Sequence, residues 1–162
     1  DVYVSSETPF KEFEFDGYTY CYVASKCKLG IENVHYSGGV RITDKERTTL
    51  DSIKDMDKIS GIEEVLANID GFTSLNEEKL TGYLQEYHNQ FLYQKTGFIL
   101  YPYRDKLGLS HSFFEMCQYK TGKSKRYLTK EFTNGTYIKE WKLVVPDEIY
   151  KLKNGAFQDD RI

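Results

Sequence analysis

The chain has 162 residues, 40% of them apolar and 29% charged, the balance of a folded domain rather than a disordered segment. At this length one domain buries enough surface to fold without disulfides or a structural metal, and no run approaches the ~18 apolar residues of a transmembrane helix. Lys and Arg number 22 against 25 Asp and Glu, so the net charge is −3; this argues against a surface that is basic throughout and grips nucleic acid everywhere.

The first forty residues read as β-structure. Val2-Tyr3-Val4 is strand-like with neither a basic n-region nor an apolar h-region before it, so the chain reads as the C-terminal part of a longer protein. Phe13 and Phe15 alternate with Glu12, Glu14 and Asp16; Tyr18, Tyr20 and Tyr22 alternate with Thr19 and Cys21. Between them Asp16-Gly17 is the two-residue loop of a type I′ hairpin, which sets Phe15 opposite Tyr18 and Phe13 opposite Tyr20. A second hairpin is predicted from Ile31 to Tyr36, turning at Ser37-Gly38-Gly39 and returning from Val40 to Ile42.

The period then becomes helical. Thr43 and Glu46 have capping-box spacing ahead of Leu50, Ile53 and Met56. Ile62, Val65, Leu66 and Ile69 follow Gly61, and Leu80, Tyr83, Leu84 and Tyr87 form a stripe opened by Asn76. A fourth helix runs from Asn89 to Tyr101, ended by Pro102, with Gly97 admitting close approach of a neighbouring backbone. A fifth opens at Ser110 and carries Phe113, Phe114 and Cys117 inward until Gly122. Asn134-Gly135, between Phe132 and Tyr137, predicts a last hairpin, and Tyr137, Trp141, Leu143 and Val145 one face of a long strand ending at Pro146. The order predicts a single α+β domain over 1–162, a mainly antiparallel sheet from the N- and C-terminal strands packed with about five central helices. The 14 Tyr, 10 Phe and single Trp are then mostly hairpin pairs and helix stripes, and so core.

The chemistry-bearing residues are sparse. His35, placed in a strand, His88 and His111 lie at no ligand spacing, so no metal is expected. Cys21, Cys27 and Cys117 are odd in number and fit neither a zinc site nor a disulfide framework, as reduced thiols of a cytoplasmic protein would be. Cys117 lies on an apolar stripe and reads as a buried structural thiol. There is no P-loop, dinucleotide fingerprint or nucleophile elbow, and no cofactor is expected. Glu140-Trp141-Lys142 has the E-x-K form of half a metal-dependent nuclease site, which would need an Asp from an adjacent strand; Asp16 is the nearest β candidate. Chance alternation on a solvated strand gives the same string. Charge is segregated: ten acidic residues against four basic ones from Asp44 to Glu78, then Lys120, Lys123, Lys125, Arg126 and Lys130 with no acid from Gln118 to Lys130. The basic run suits a phosphate backbone or an acidic protein face, with Tyr119 and Tyr127 placed to stack on bases; equally, it suits a solvated helix end complementing the helix dipole.

The string VRITDKERTTLDSI followed by GIEEVLANI, then QKTGFIL, GKSKRYL at 122–128 and WKLVVP at 141–146, resembles the AbiEi family of antitoxins, in matching order over nearly the whole chain. The resemblance implies the C-terminal antitoxin domain of a transcriptional autoregulator that counteracts a cognate nucleotidyltransferase toxin in abortive phage infection (a type IV toxin–antitoxin system), without a stable complex being required. In that family an N-terminal winged helix-turn-helix binds DNA; no residue here corresponds to it, so DNA binding is implied only through a missing domain. No catalytic motif carries over, and the chain reads as non-enzymatic. A regulatory or dimerisation module and a nuclease-like domain using Glu140 and Lys142 are the alternatives.

Overall fold

The computed structural model describes residues 1–35, 38–59, 61–131 and 133–152. The fold is α+β, but the terminal strands do not share one sheet. β1 (Val2–Ser6), β2 (Phe13–Phe15) and β3 (Tyr18–Ala24) form a mixed sheet in the order β1-β3-β2, with β1 parallel to β3. β4 (Ile31–Asn33) and β5 (Arg41–Thr43) pair as a separate hairpin. Tyr36 and Ser37 of its expected turn lie outside the described residues. The first hairpin has the expected register, Phe13 opposite Tyr20 and Phe15 opposite Tyr18, and positive φ at both Asp16 (50°) and Gly17 (78°). Its rings are not core, however: Phe13 stacks on Tyr20 at 5.0 Å, yet Phe13, Phe15 and Tyr18 are exposed.

The helical layer is α1 (Lys45–Lys54), α2 (Met56–Ile59), α3 (Gly61–Asp70), α4 (Glu77–Tyr87), α5 (Gln90–Leu100), α6 (Arg104–Leu107) and α7 (His111–Lys120). The apolar stripes read from the sequence bury together: Leu50, Ile53, Leu66, Leu80, Leu84 and Phe114 are among the fully buried side chains. α5 is buried on nearly all sides, against α1 and α7. Asn76, Asn89 and Ser110 cap α4, α5 and α7 through side-chain oxygens. No helix among the described residues is long and apolar enough to cross a membrane.

The start of α1 departs from the capping box. Asp44, not Thr43, is the N-cap, accepting the Arg47 N–H at 2.8 Å, while the Thr43 and Thr48 hydroxyls bond each other. Glu46 does not reach back to its own helix; its carboxylate accepts the Asn76 N–H at 2.7 Å, ahead of α4. The α4 N-terminus takes this carboxylate although Glu77 and Glu78 already stand in its first turn.

The C-terminal part also departs from expectation. β6 (Arg126–Tyr127), β7 (Gly135–Ile138) and β8 (Leu143–Pro146) form a second mixed sheet in the order β6-β8-β7. Asn134-Gly135 is not a turn: Gly135 opens β7 opposite Pro146, and the Asn134 carbonyl accepts from Asp147 N–H. Phe132 lies outside the described residues. The long strand is broken at residues 139–142, where Lys142 takes a left-handed conformation (φ 51°) and donates its N–H to the Lys139 carbonyl. The break turns Trp141 inward onto α5. There the indole fills the space over Gly97, where a Cβ would lie 2.0 Å from the ring. Gly97 thus admits a side chain rather than a backbone.

Candidate functional site

The acidic stretch is largely absorbed by the fold. Asp44 is buried and holds three partners: the Arg47 N–H, Lys79 Nζ (2.9 Å) and the Tyr83 hydroxyl (2.6 Å). Burial pushes its pKa up, but the hydrogen bonds from Tyr83, the Arg47 amide and Lys79 outweigh it, and the carboxyl sits below its ordinary 3.8. Arg47 is 1% exposed and uses its whole fork: Nε on Asp51 (2.9 Å), Nη1 on the carbonyls of Cys27 (2.9 Å) and Leu29 (2.8 Å), Nη2 on Ser25 Oγ (2.6 Å). Asp51 also accepts the Tyr87 hydroxyl. Asp55 pairs with Lys54 and Lys58, Asp70 with Lys106, and Glu77 takes both Ser110 N–H and Oγ.

Two clefts flank this network. One of about 390 Å³ lies between β1 and the helices, with Tyr3, Thr48, Asp51 and Asn68 in its wall. The other, about 860 Å³, lies between β1 and the β4–β5 hairpin and reaches Cys27 and Arg47. Arg47 reaches the larger cleft only, with its guanidinium paired to Asp51 and bonded to Ser25, Cys27 and Leu29. Cys27 and Cys117 are buried, and burial pushes the Cys117 thiol up to about 12, so it stays protonated and unreactive at neutral pH.

The E-x-K string is not a strand site. Glu140 is exposed in the turn between β7 and β8, and Lys142 Nζ donates to the Gly122 carbonyl at 3.1 Å. Among the described residues no three His, Cys, Asp or Glu side chains could share a metal ion. His35 lies in the turn after β4 rather than in a strand, His88 is the left-handed C-cap of α4, and His111 Nε2 stands 3.5 Å from Glu115.

The basic run divides in space. Lys120 ends α7, and exposed Lys123 and Lys125 follow in the loop to β6. Arg126 pairs with fully buried Leu143 and so stands on the inner face of the sheet, its guanidinium 5.1 Å from the Phe91 ring centroid. Lys130 is anchored elsewhere, its N–H on Asp57. Lys95, which sequence reasoning did not single out, shares the Phe91 ring at 4.7 Å; it is 4% exposed, and burial lowers its pKa against the pull of Asp57 and Asp55. The loop carrying Lys123 and Lys125 is held from below. Gln94 Nε2 donates to the Ser124 (3.4 Å) and Lys142 (3.0 Å) carbonyls, and Arg126 N–H to Lys142 O.

Three exposed tyrosines accompany these lysines: Tyr119 (84%), Tyr127 (54%) and Tyr137 (46%). Lys120 Nζ lies 6.0 Å from the Tyr119 ring, and Lys125 Nζ lies near the rings of both Tyr127 and Tyr137. Tyr137 was missed because the alternation that assigned it inward assumed an unbroken strand; the pairing of both tyrosines with one residue of β8 becomes visible only with the register. No protein-family model, curated protein or solved structure matches the chain.

Proposed function

We propose that this chain acts by contact rather than by turnover, as the antitoxin domain of an AbiEi-like regulator that counteracts a nucleotidyltransferase toxin, with the exposed lysines of the α7–β6 segment as its contact surface. One observation carries the contact reading. The acidic side chains of α1 are buried in internal bonds, whereas Lys120 is exposed at the end of α7 and Lys123 and Lys125 on the loop after it, which is fixed to α5. A fixed loop presents its charges without the ordering cost of a mobile one. The antitoxin reading rests on the five strings quoted above. They fall on β5 and α1, on α3, on α5, on the loop into β6, and on β8.

Co-expression with the product of the neighbouring gene, which the reading expects to be a nucleotidyltransferase toxin, tests it. Relief of growth arrest is expected from this chain, and loss of relief from the Lys120→Glu/Lys123→Glu/Lys125→Glu variant. Arrest that persists with the wild-type chain present refutes the antitoxin role, and full relief by the triple variant removes the lysine face from it.

A further inference from the structure

Tyr127 of β6 and Tyr137 of β7 both lie opposite Val144 of the central strand β8, so the three residues form one row straight across the sheet. Cross-strand neighbours share a face, which places the two tyrosine Cα atoms about 10 Å apart on the same side. Leu143 and Val145, which alternate with Val144, are fully buried against the core, so the tyrosine row faces outward. Lys125, two residues before Tyr127 and on the same side, sets its Nζ 5.9 Å from the Tyr127 centroid and 5.5 Å from that of Tyr137. The result is two half-exposed π-faces bridged by one cation, with Lys123 and Lys120 exposed on the segment that leads into it. The acids nearest in sequence stand outside the row: Glu131 and Glu140 lie in flanking loops, and Asp147 accepts the Thr136 hydroxyl at 2.7 Å.

We propose that this sheet face binds single-stranded nucleic acid, with bases stacked on Tyr127 and Tyr137 and the phosphates between them on Lys125 and its lysine neighbours. The inference rests on the reading of the lysine segment as a contact surface and names its ligand. Every base offers a flat π-face to such a ring, so stacking is tolerant of sequence. A duplex keeps its base faces inside the stack and offers the tyrosines nothing; an acidic peptide would use the lysines and leave the rings idle. With a net charge of −3 over the whole chain, phosphate attraction has to come from a local patch such as this one.

Fluorescence anisotropy of the 162-residue chain with labelled oligo(dT) and oligo(U) of about 12 nucleotides, and with a duplex of the same length, tests this. The single strands are expected to bind at least about tenfold more tightly than the duplex. Three lysine–phosphate contacts give a slope of about −2 in log K against log salt. Tyr127→Ala/Tyr137→Ala should weaken binding at least about tenfold, Tyr127→Phe/Tyr137→Phe should retain it, and Lys125→Glu should lose most of it. Val144 lies buried in the row between the two rings, so the alanine pair gives up some cross-strand packing, and binding is compared at a temperature where melting curves show every variant folded. Equal affinity for duplex and single strand, an alanine pair that binds like wild type, or no binding of either oligonucleotide overturns the inference. The two readings fail separately. Relief of growth arrest that depends on the lysines without oligonucleotide binding keeps the contact surface, assigns it an acidic protein, and removes this inference. Tyrosine-dependent binding without relief removes the antitoxin role and leaves the inference standing.

Discussion

Asp44 shows how much one side chain can gather. It caps α1, pairs with Lys79 and accepts from Tyr83, tying β5, α1 and α4 at one point. Its pKa is depressed in the folded state, so its contribution to stability is complete above the unfolded value near 3.8 and is lost as pH falls below that through the folded value. Asp44→Asn keeps the cap oxygen and removes the charge. The variant is expected to be less stable by about 1–3 kcal/mol at pH 7, with the gap to wild type closing below pH ~3.8. Urea denaturation across that range checks it, and a gap independent of pH would contradict the charge argument. Gly30, beside this cluster, is required for a different reason: its φ is 69°, and a Cβ there would stand 2.8 Å from Cβ of Arg47 and 2.9 Å from the Tyr83 ring.

At the scale of elements, α5 and the β7–β8 turn depend on one close contact. Gly97→Ala would drive a methyl into the Trp141 indole and is expected to cost about 1–3 kcal/mol despite the better helix propensity of alanine. Trp141→Leu should lower stability alone but recover part of that loss in the Gly97→Ala background; additive effects in a double-mutant cycle would show that the two do not touch. This contact also marks where the sequence stopped being legible. The helices were readable because each carried both an apolar stripe at 3.6 spacing and a polar cap, as with Leu80, Tyr83 and Leu84 behind Asn76. The Asp16-Gly17 hairpin was readable because its turn and its pairing agree. The C-terminal strands were not, because Trp141 and Leu143 fit a continuous alternation equally well whether or not a turn intervenes. The division of the strands into separate sheets was also hidden, since the parallel pairings of β1 with β3 and β6 with β8 leave no local turn signal. Of the contact surface, the lysines were visible in the sequence, whereas Arg126 separates from them and Tyr137 joins them only through the register of β8.

For the whole molecule, the helices form the common core, while the N-terminal sheet carries exposed aromatic rings and the C-terminal sheet the lysine–tyrosine face. The acidic and basic halves of the sequence therefore do not become acidic and basic halves of the surface. Their acids turn inward at α1, and their lysines outward beside β6. Between the N-terminal sheet and the helices, Arg47 grips the segment 25–29 at three residues, Ser25, Cys27 and Leu29. The consequence is kinetic as well as energetic. Few large apolar groups of β1–β3 are buried, so these strands form a candidate foldon that opens below the global free energy, and Arg47, with Tyr3 on the Ile59 carbonyl and Lys54 on that of Ala24, sets how far below. Native-state hydrogen exchange should find β3 amides exchanging through a cheaper opening than those of α5. In Arg47→Met, which strands Asp51 and the loop carbonyls, the β3 opening should become cheaper by about 3–5 kcal/mol. Uniform protection from β3 to α5 would mean that the chain opens as one unit.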